Sequence, residues 1–255
     1  MRIINQNAKE SDCGQQPARP KRFSIWLLLA TLVVPFAALV CYGQSGTAAV
    51  WRPGTGGQFT QRALSWEDFK TKNQTYFDQG LRLVDLEIAN GRYTGVWQTG
   101  TGAQWIHPNL SWQDFKTKNE EYFKQGLRVI DIELVNGKYA AVWRPGTGGQ
   151  WIRPALTLQE FKTQDGIYFK QGFRITDLEF VDGKFLVVWR PGTGAQYVQA
   201  GLTWDQFRTQ DKTYLDQGLR LADFEVGSGY TGVWRTGSGE QRVPSKTNLL
   251  MKGRL

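Results

Sequence analysis

The sequence predicts an α+β fold of tandem units of about 46 residues, each a three-stranded antiparallel sheet plus one helix, preceded by one hydrophobic membrane helix. Three observations predict it. Trp51, Trp97, Trp143 and Trp189 stand 46 residues apart, and Trp234 follows after 45. Gln79-Gly80, Gln125-Gly126, Gln171-Gly172 and Gln217-Gly218 keep the 46-residue interval throughout. Residues 23–42, FSIWLLLATLVVPFAALVCY, are an uncharged run. Self-similarity at a fixed period marks units that bury shared faces, because one small sheet and one helix bury too little alone.

In chain order, residues 1–22 form a basic leader with Arg2, Lys9, Arg19, Lys21 and Arg22 against Glu10 and Asp12. A basic flank keeps that end in the cytoplasm. Twenty apolar residues at 1.5 Å each reach about 30 Å, the thickness of the hydrocarbon core. Residues 23–42 are therefore expected to be a transmembrane signal-anchor or a cleaved signal peptide, leaving the repeats membrane-anchored on the extracytoplasmic side or secreted. The repeats occupy 47–242 as four units and a partial fifth, about 47–92, 93–138, 139–184, 185–229 and 230–242, and 243–255 is a flexible tail.

Each unit begins with a strand ending in Val-Trp, such as Arg92 to Trp97, followed by a glycine loop and a short strand such as QWIHP. The loop is expected to be a hairpin, with positive φ at its glycines. A helix opens on Ser65 with Asp68, Ser111 with Asp114, Thr157 with Glu160, and Thr203 with Gln206, the spacing of a capping box. Phe69, Tyr76 and Phe77 recur at helical spacing, and Gly80 stops the helix. The next strand alternates, placing Val84, Leu86 and Ile88 on one face and Leu83, Asp85 and Glu87 on the other. Asn90-Gly91, Asn136-Gly137 and Asp182-Gly183 turn it into the first strand of the following unit. Spacing alone leaves open whether the array is linear or a ring.

The unit of Val-Trp, glycine loop, aromatic, Leu-Ser/Thr, Phe and Gln-Gly-Leu/Phe-Arg resembles the tandem structural repeat of the N-terminal region of polyglycine hydrolases and of bacterial tandem-repeat proteins. It spans residues 47 to about 242, with hallmarks such as Val96-Trp97, Phe115 and Gly126-Leu127-Arg128. The resemblance implies a helix-plus-sheet repeat, a secreted or surface location and no catalysis by the repeats. In polyglycine hydrolases a separate serine β-lactamase-like domain carries the chemistry; this sequence contains no Ser-x-x-Lys, so no hydrolase role carries over.

Composition narrows the chemistry. Two Cys and one His support no disulfide framework, no Cys/His zinc site and no Ser-His-Asp triad, so no metal or cofactor is expected. Past the leader 26 basic and 21 acidic residues remain, a net of +5, too dilute for a nucleic-acid interface. The loops lack the Gly-Lys-Ser/Thr of a phosphate-binding loop, although Arg52, Arg144, Arg190 and Arg235 keep an anion-binding option. Asp85 with Glu87, Asp131 with Glu133, Asp177 with Glu179 and Asp223 with Glu225 have a spacing a glycosidase could use. Four-fold repetition suits solvated or inter-repeat ion pairs better, with Arg82 and its counterparts as partners. Trp51, Trp97, Trp143, Trp189 and Trp234 are assigned to the core and His107 to the surface.

The candidate ligand-binding residues are Trp105, Trp151, Tyr197, Arg144, Arg190, Gln104, Gln150 and Gln196, since exposed aromatics beside Gln and Arg suit a sugar or protein surface. The expected function is a non-enzymatic exported or membrane-anchored repeat protein that binds a cell-surface polymer or protein multivalently. The alternatives are a structural spacer or self-assembling surface element, joined through unpaired strands at the array ends, and a glycan hydrolase using Asp/Glu pairs.

Overall fold

The computed structural model describes residues 36–43 and 46–243, with side chains from Arg52 onward. Of the segment expected to cross the membrane, residues 23–35 and the leader lie outside the described residues. The remainder is strand rather than helix: β1 (Phe36–Gly43) pairs antiparallel with β2 (Gly46–Pro53). Pairing with β2 gives the backbone donors and acceptors of β1 their partners across the whole register, from Phe36 opposite Pro53 to Gly43 opposite Gly46. Among the described residues, no helix is long and apolar enough to cross a membrane.

Four complete units follow. The first is β3 (Gln58–Leu64), α1 (Trp66–Asp78), β4 (Leu81–Ala89) and β5 (Arg92–Thr99). The second is β6 (Trp105–Leu110), α2 (Trp112–Lys124), β7 (Leu127–Val135) and β8 (Lys138–Pro145). The third is β9 (Trp151–Leu156), α3 (Leu158–Lys170), β10 (Phe173–Val181) and β11 (Lys184–Pro191). The fourth is β12 (Gln196–Leu202), α4 (Trp204–Asp216), β13 (Leu219–Val226) and β14 (Tyr230–Thr236). The sheets run β3-β5-β4, β6-β8-β7, β9-β11-β10 and β12-β14-β13, antiparallel throughout.

Local chemistry sets each element. Ser65, Ser111, Thr157 and Thr203 are N-caps whose hydroxyls accept from the backbone N–H three residues on, satisfying a donor that the first turn leaves open. Asn90 and Gly91 at φ 51 and 68 make the tight turn between β4 and β5, whose twist matches the strands it joins. The glycine loops are not hairpins. Strand β5 pairs with β3 and β4, and the loop after it crosses to β6 in the next sheet. Two antiparallel partners satisfied the sequence pattern equally, and the helix, by returning the chain across its own sheet, selects the first. Each outer strand contains a residue at positive φ or a proline, such as Ala63, or Pro108 with Asn109, which interrupts a free edge that could otherwise pair with another chain.

The inner strand departs from simple alternation. Its register shifts between Leu83 and Asp85, and again at Val129/Asp131, Ile175/Asp177 and Leu221/Asp223. The bulge lets Leu83 and Leu86, both fully buried, share the face of Trp97, opposite Asp85 and Glu87. Three of the four cores among the described residues straddle two units: in the first, Phe69, Tyr76, Leu83, Leu86 and Trp97 pack with Ala140 and Val142 of the next sheet. A buried large apolar side chain contributes about 1.5–3 kcal/mol, so neighbouring units stabilise each other.

The array closes. Strand β4 lies alongside β7, β7 alongside β10, β10 alongside β13, and β1 alongside both β13 and β4. Gln241 sits against Arg52 as Gln58 sits against Gln98, and Val243 packs on the core of Trp204 and Trp234. Among the described residues, the C-terminal segment around Gln241 and Val243 thus lies beside the β1-β2 pair, and the two ends of the array meet.

A repeated latch holds the sheets. Gln104 Oε1 accepts from Leu83 N at 2.7 Å, and its Nε2 donates to Asn73 Oδ1 at 2.8 Å, which also accepts from Trp97 Nε1 at 2.9 Å. Gln150 with Asn119, Gln196 with Asp165 and Gln241 with Asp211 repeat it. The β1-β2 pair has no helix among the described residues, and Gln58 Nε2 is correspondingly buried with no acceptor among them. Gln104→Leu is expected to cost about 1–3 kcal/mol by stranding Leu83 N–H, whereas Gln58→Leu should change stability by less than about 1 kcal/mol; urea melts compare them.

Burial raises the carboxyls of Asp165 and Asp211 above their usual value, against hydrogen bonds from the Trp and Gln donors that lower it. An acid whose folded pKa is raised stabilises fully below its unfolded pKa of about 3.9. That contribution is lost as pH rises through the folded value. Asp165→Asn, the residue type at the matching Asn73 and Asn119, should raise the thermal midpoint at pH 7 and lose that advantage near pH 3.

Candidate functional site

The outer strand of each unit turns one aromatic ring away from the core. Phe59, Trp105, Trp151 and Tyr197 are 45%, 47%, 39% and 45% exposed, the most consistent exposed feature of the ring. Each lies nearly parallel on a helix tyrosine: Phe59 on Tyr76, Trp105 on Tyr122, Trp151 on Tyr168 and Tyr197 on Tyr214, at 5.0–5.7 Å between centroids and 7–21°. The tyrosine in turn packs on the buried Trp, as Tyr122 does on Trp143 at 5.2 Å. Stacking on a rigid column fixes the outer ring at little further entropic cost, which suits a contact surface.

Beside each platform one polar group meets the tyrosine hydroxyl. Gln61 Nε2 donates to Tyr76 at 2.7 Å, Arg153 Nε to Tyr168 at 3.1 Å and Gln199 Nε2 to Tyr214 at 3.0 Å, while His107 Nε2 shares a 2.6 Å hydrogen bond with Tyr122. His107 is thus held in the stack, not loose on the surface as expected. Its pKa is lowered chiefly by burial and next by Lys118, against the opposing pull of Glu121.

The other sequence candidates sit elsewhere. The amides of Gln104, Gln150 and Gln196 are engaged at both ends in the latch. Arg144 and Arg190 lie between sheets, half-buried, facing Arg82 and Arg128; burial first and that like charge second lower their pKa values. Arg52 is lowered to about 10 by burial and then by Arg220, against Asp211. Gly146 fits between Arg128 and Arg190: a Cβ there would stand 2.5 Å from Arg190 Nη2 and 3.0 Å from Arg128 Cγ. Trp105, Trp151 and Tyr197 therefore share one setting, and Arg144, Arg190 and the three glutamines do not join them.

The carboxylates are also corrected. Asp85, Asp131, Asp177 and Asp223 are 0–2% exposed and Glu87, Glu133, Glu179 and Glu225 4–7%, so they are not solvated. Asp131 Oδ2 accepts from Leu86 N at 3.0 Å, Asp177 from Ile132 N at 2.9 Å and Asp223 from Leu178 N at 2.7 Å. Each of these three Asp carboxylates satisfies an inner-strand N–H of the neighbouring unit, a donor that would be costly to leave buried and unmade. Arg82 binds carbonyls instead, donating to Gly102, Phe77 and Leu81 with its guanidinium 3.5 Å over Phe77. Both members of each Asp/Glu pair thus lie in the interior of the array. Among the described residues no group of His, Cys, Asp or Glu could hold a metal ion.

Sequence reasoning placed Tyr76 on the helix and His107 on the surface but gave them no part in the platform, and it missed Gln61, Arg153, Gln199 and the Asn/Asp acceptors. The 46-residue recurrence of Tyr76 and Asn73 was the available signal.

A family model described as polyglycine hydrolase-like, structural repeat matches residues 56–100, 102–145 and 193–236. Those spans enclose the first, second and fourth structural units, and the third carries the same elements between them. No match to a curated protein was found.

Proposed function

The chain belongs to the family of polyglycine hydrolase-like structural repeats, and from that membership and the ring geometry we propose that it is a non-catalytic module that binds a cell-surface polymer or protein through several equivalent contacts. The observation that carries the reading is the exposed aromatic of each complete unit, seated on its helix tyrosine in the same pose. Single contacts of this size are weak, and four on one rigid ring multiply in effect when a polymer engages them together. The basic leader and the apolar residues 23–35 that precede β1 support presentation outside the cytoplasm, on a membrane anchor or after secretion. "Hydrolase-like" in the family description refers to the repeat, and the burial of the Asp/Glu pairs favours binding over hydrolysis.

Affinity gels of purified wall polysaccharides test this. Phe59→Ala, Trp105→Ala, Trp151→Ala and Tyr197→Ala should each weaken retention about 3–10-fold and together abolish it. Unchanged retention in the quadruple variant, with its fold intact by circular dichroism, would contradict the reading.

A further inference from the structure

Resting on the platform reading, we propose that the third unit holds a subsite for a neutral sugar residue of a polysaccharide, between β9 and α3. A groove of about 410 Å³ opens there, lined by Arg153, Leu156, Gln159, Glu160, Thr163 and Gln164. It adjoins the platform through Arg153, whose guanidinium stands 5.4 Å from the Trp151 ring centroid and whose Nε is tethered to Tyr168.

The lining matches the two chemistries of a sugar ring. A pyranose has an apolar C–H face, which an aromatic plane accepts, and a rim of hydroxyls that each donate and accept. Trp151, parallel to Tyr168 within 12°, supplies the plane, and Leu156 supplies an apolar patch in the groove. Ile167, 43% exposed one turn beyond Thr163, extends the apolar surface. Arg153 offers donors, Glu160 acceptors, and Gln159 and Gln164 both; the two amides make no side-chain hydrogen bond among the described residues. These flat groups suit pairs of neighbouring hydroxyls, which single-point hydroxyl donors do not.

Charge selects the neutral class. Hydrogen bonds from Thr157 hold the Glu160 carboxyl below its usual pKa, so it is ionised at neutral pH. It offsets Arg153 and disfavours a polyanion at the same spot. With Gln164 where the first unit has Lys72 and the second Lys118, Arg153 is the one cation among the six groove residues, and Glu160 balances it.

The test titrates the full chain with neutral glucose hexaoses of β-1,3, β-1,4 and α-1,4 linkage, and with hexagalacturonate as the acidic counterpart, by calorimetry. At least one neutral hexaose should saturate. Trp151→Ala should weaken it about tenfold and the double variant Gln159→Ala with Gln164→Ala about fivefold, while Glu240→Gln, at an exposed ion pair with Arg242, should change it less than about twofold. No saturation by a neutral hexaose, tighter binding of the acidic one, or a silent double variant would overturn the subsite. If the glutamine pair is silent while all four aromatic variants weaken polymer retention, the subsite fails and the platform reading stands. If no aromatic variant weakens retention, the platform reading fails with it.

Discussion

Trp143→Ala is expected to lower stability by about 3–5 kcal/mol, the range for emptying a large buried aromatic site. Trp143 is fully buried and packs on Phe115 and Tyr122, and its Nε1 donates to Asn119 at 3.2 Å. Val188 of the following sheet shares its core, so the loss weakens two units at once. Trp151→Ala, at a ring 39% exposed, should cost less than about 1 kcal/mol. Urea denaturation of both separates core tryptophan from contact tryptophan. A small loss at Trp143 would contradict the shared core.

The second large effect belongs to the closure. Ending the chain at Ser238 removes Gln241 from Leu221 N (2.8 Å), Asp211 (2.7 Å) and Arg52 (3.3 Å), and removes Val243 from its core. It strands an inner-strand N–H, takes one donor from the buried Asp211 carboxylate, which keeps Trp234 Nε1 at 2.9 Å, and exposes an apolar side chain, for an expected loss of about 3–6 kcal/mol. Hydrogen exchange should show protection at Leu221 N–H falling first. Glu240→Gln, which removes only an exposed ion pair with Arg242, should stay within about 0.5 kcal/mol. Equal protection in the full and shortened chains would show that the segment does not close the ring.

Much of the unit was legible because its signals are local. A Ser or Thr three residues before an acid or amide caps a helix wherever it stands, and Asn90-Gly91 makes a tight turn from its own backbone preference. What escaped depended on distant partners. Gln241 meets Arg52 across almost the whole chain, and no interval of 46 states that the two ends meet. The Asp/Glu ladder looked solvated because period-two alternation hides the bulge at Val84 and the neighbouring N–H that Asp131, Asp177 and Asp223 reach. Arg82 was paired with carboxylates by charge alone, whereas the helix end and the glycine loop offer it carbonyls at closer range. The platforms were half legible: Trp105, Trp151 and Tyr197 were placed on an outer strand, but the stacking tyrosine lies on a helix that only the fold brings beneath them.

The most direct test of the account is the distance between spin labels at Thr55→Cys and Glu240→Cys, with Cys13 and Cys41 replaced by Ser. In the closed ring Gly239 stands against Pro53, a Cβ on the glycine lying 3.8 Å from Pro53 Cδ. The account predicts one population with labels within about 20 Å, allowing for two flexible tethers. Packed sheets lie about 10 Å apart, so an open array of four units would separate the labels by roughly 40 Å or more, and a distribution centred there would contradict the ring.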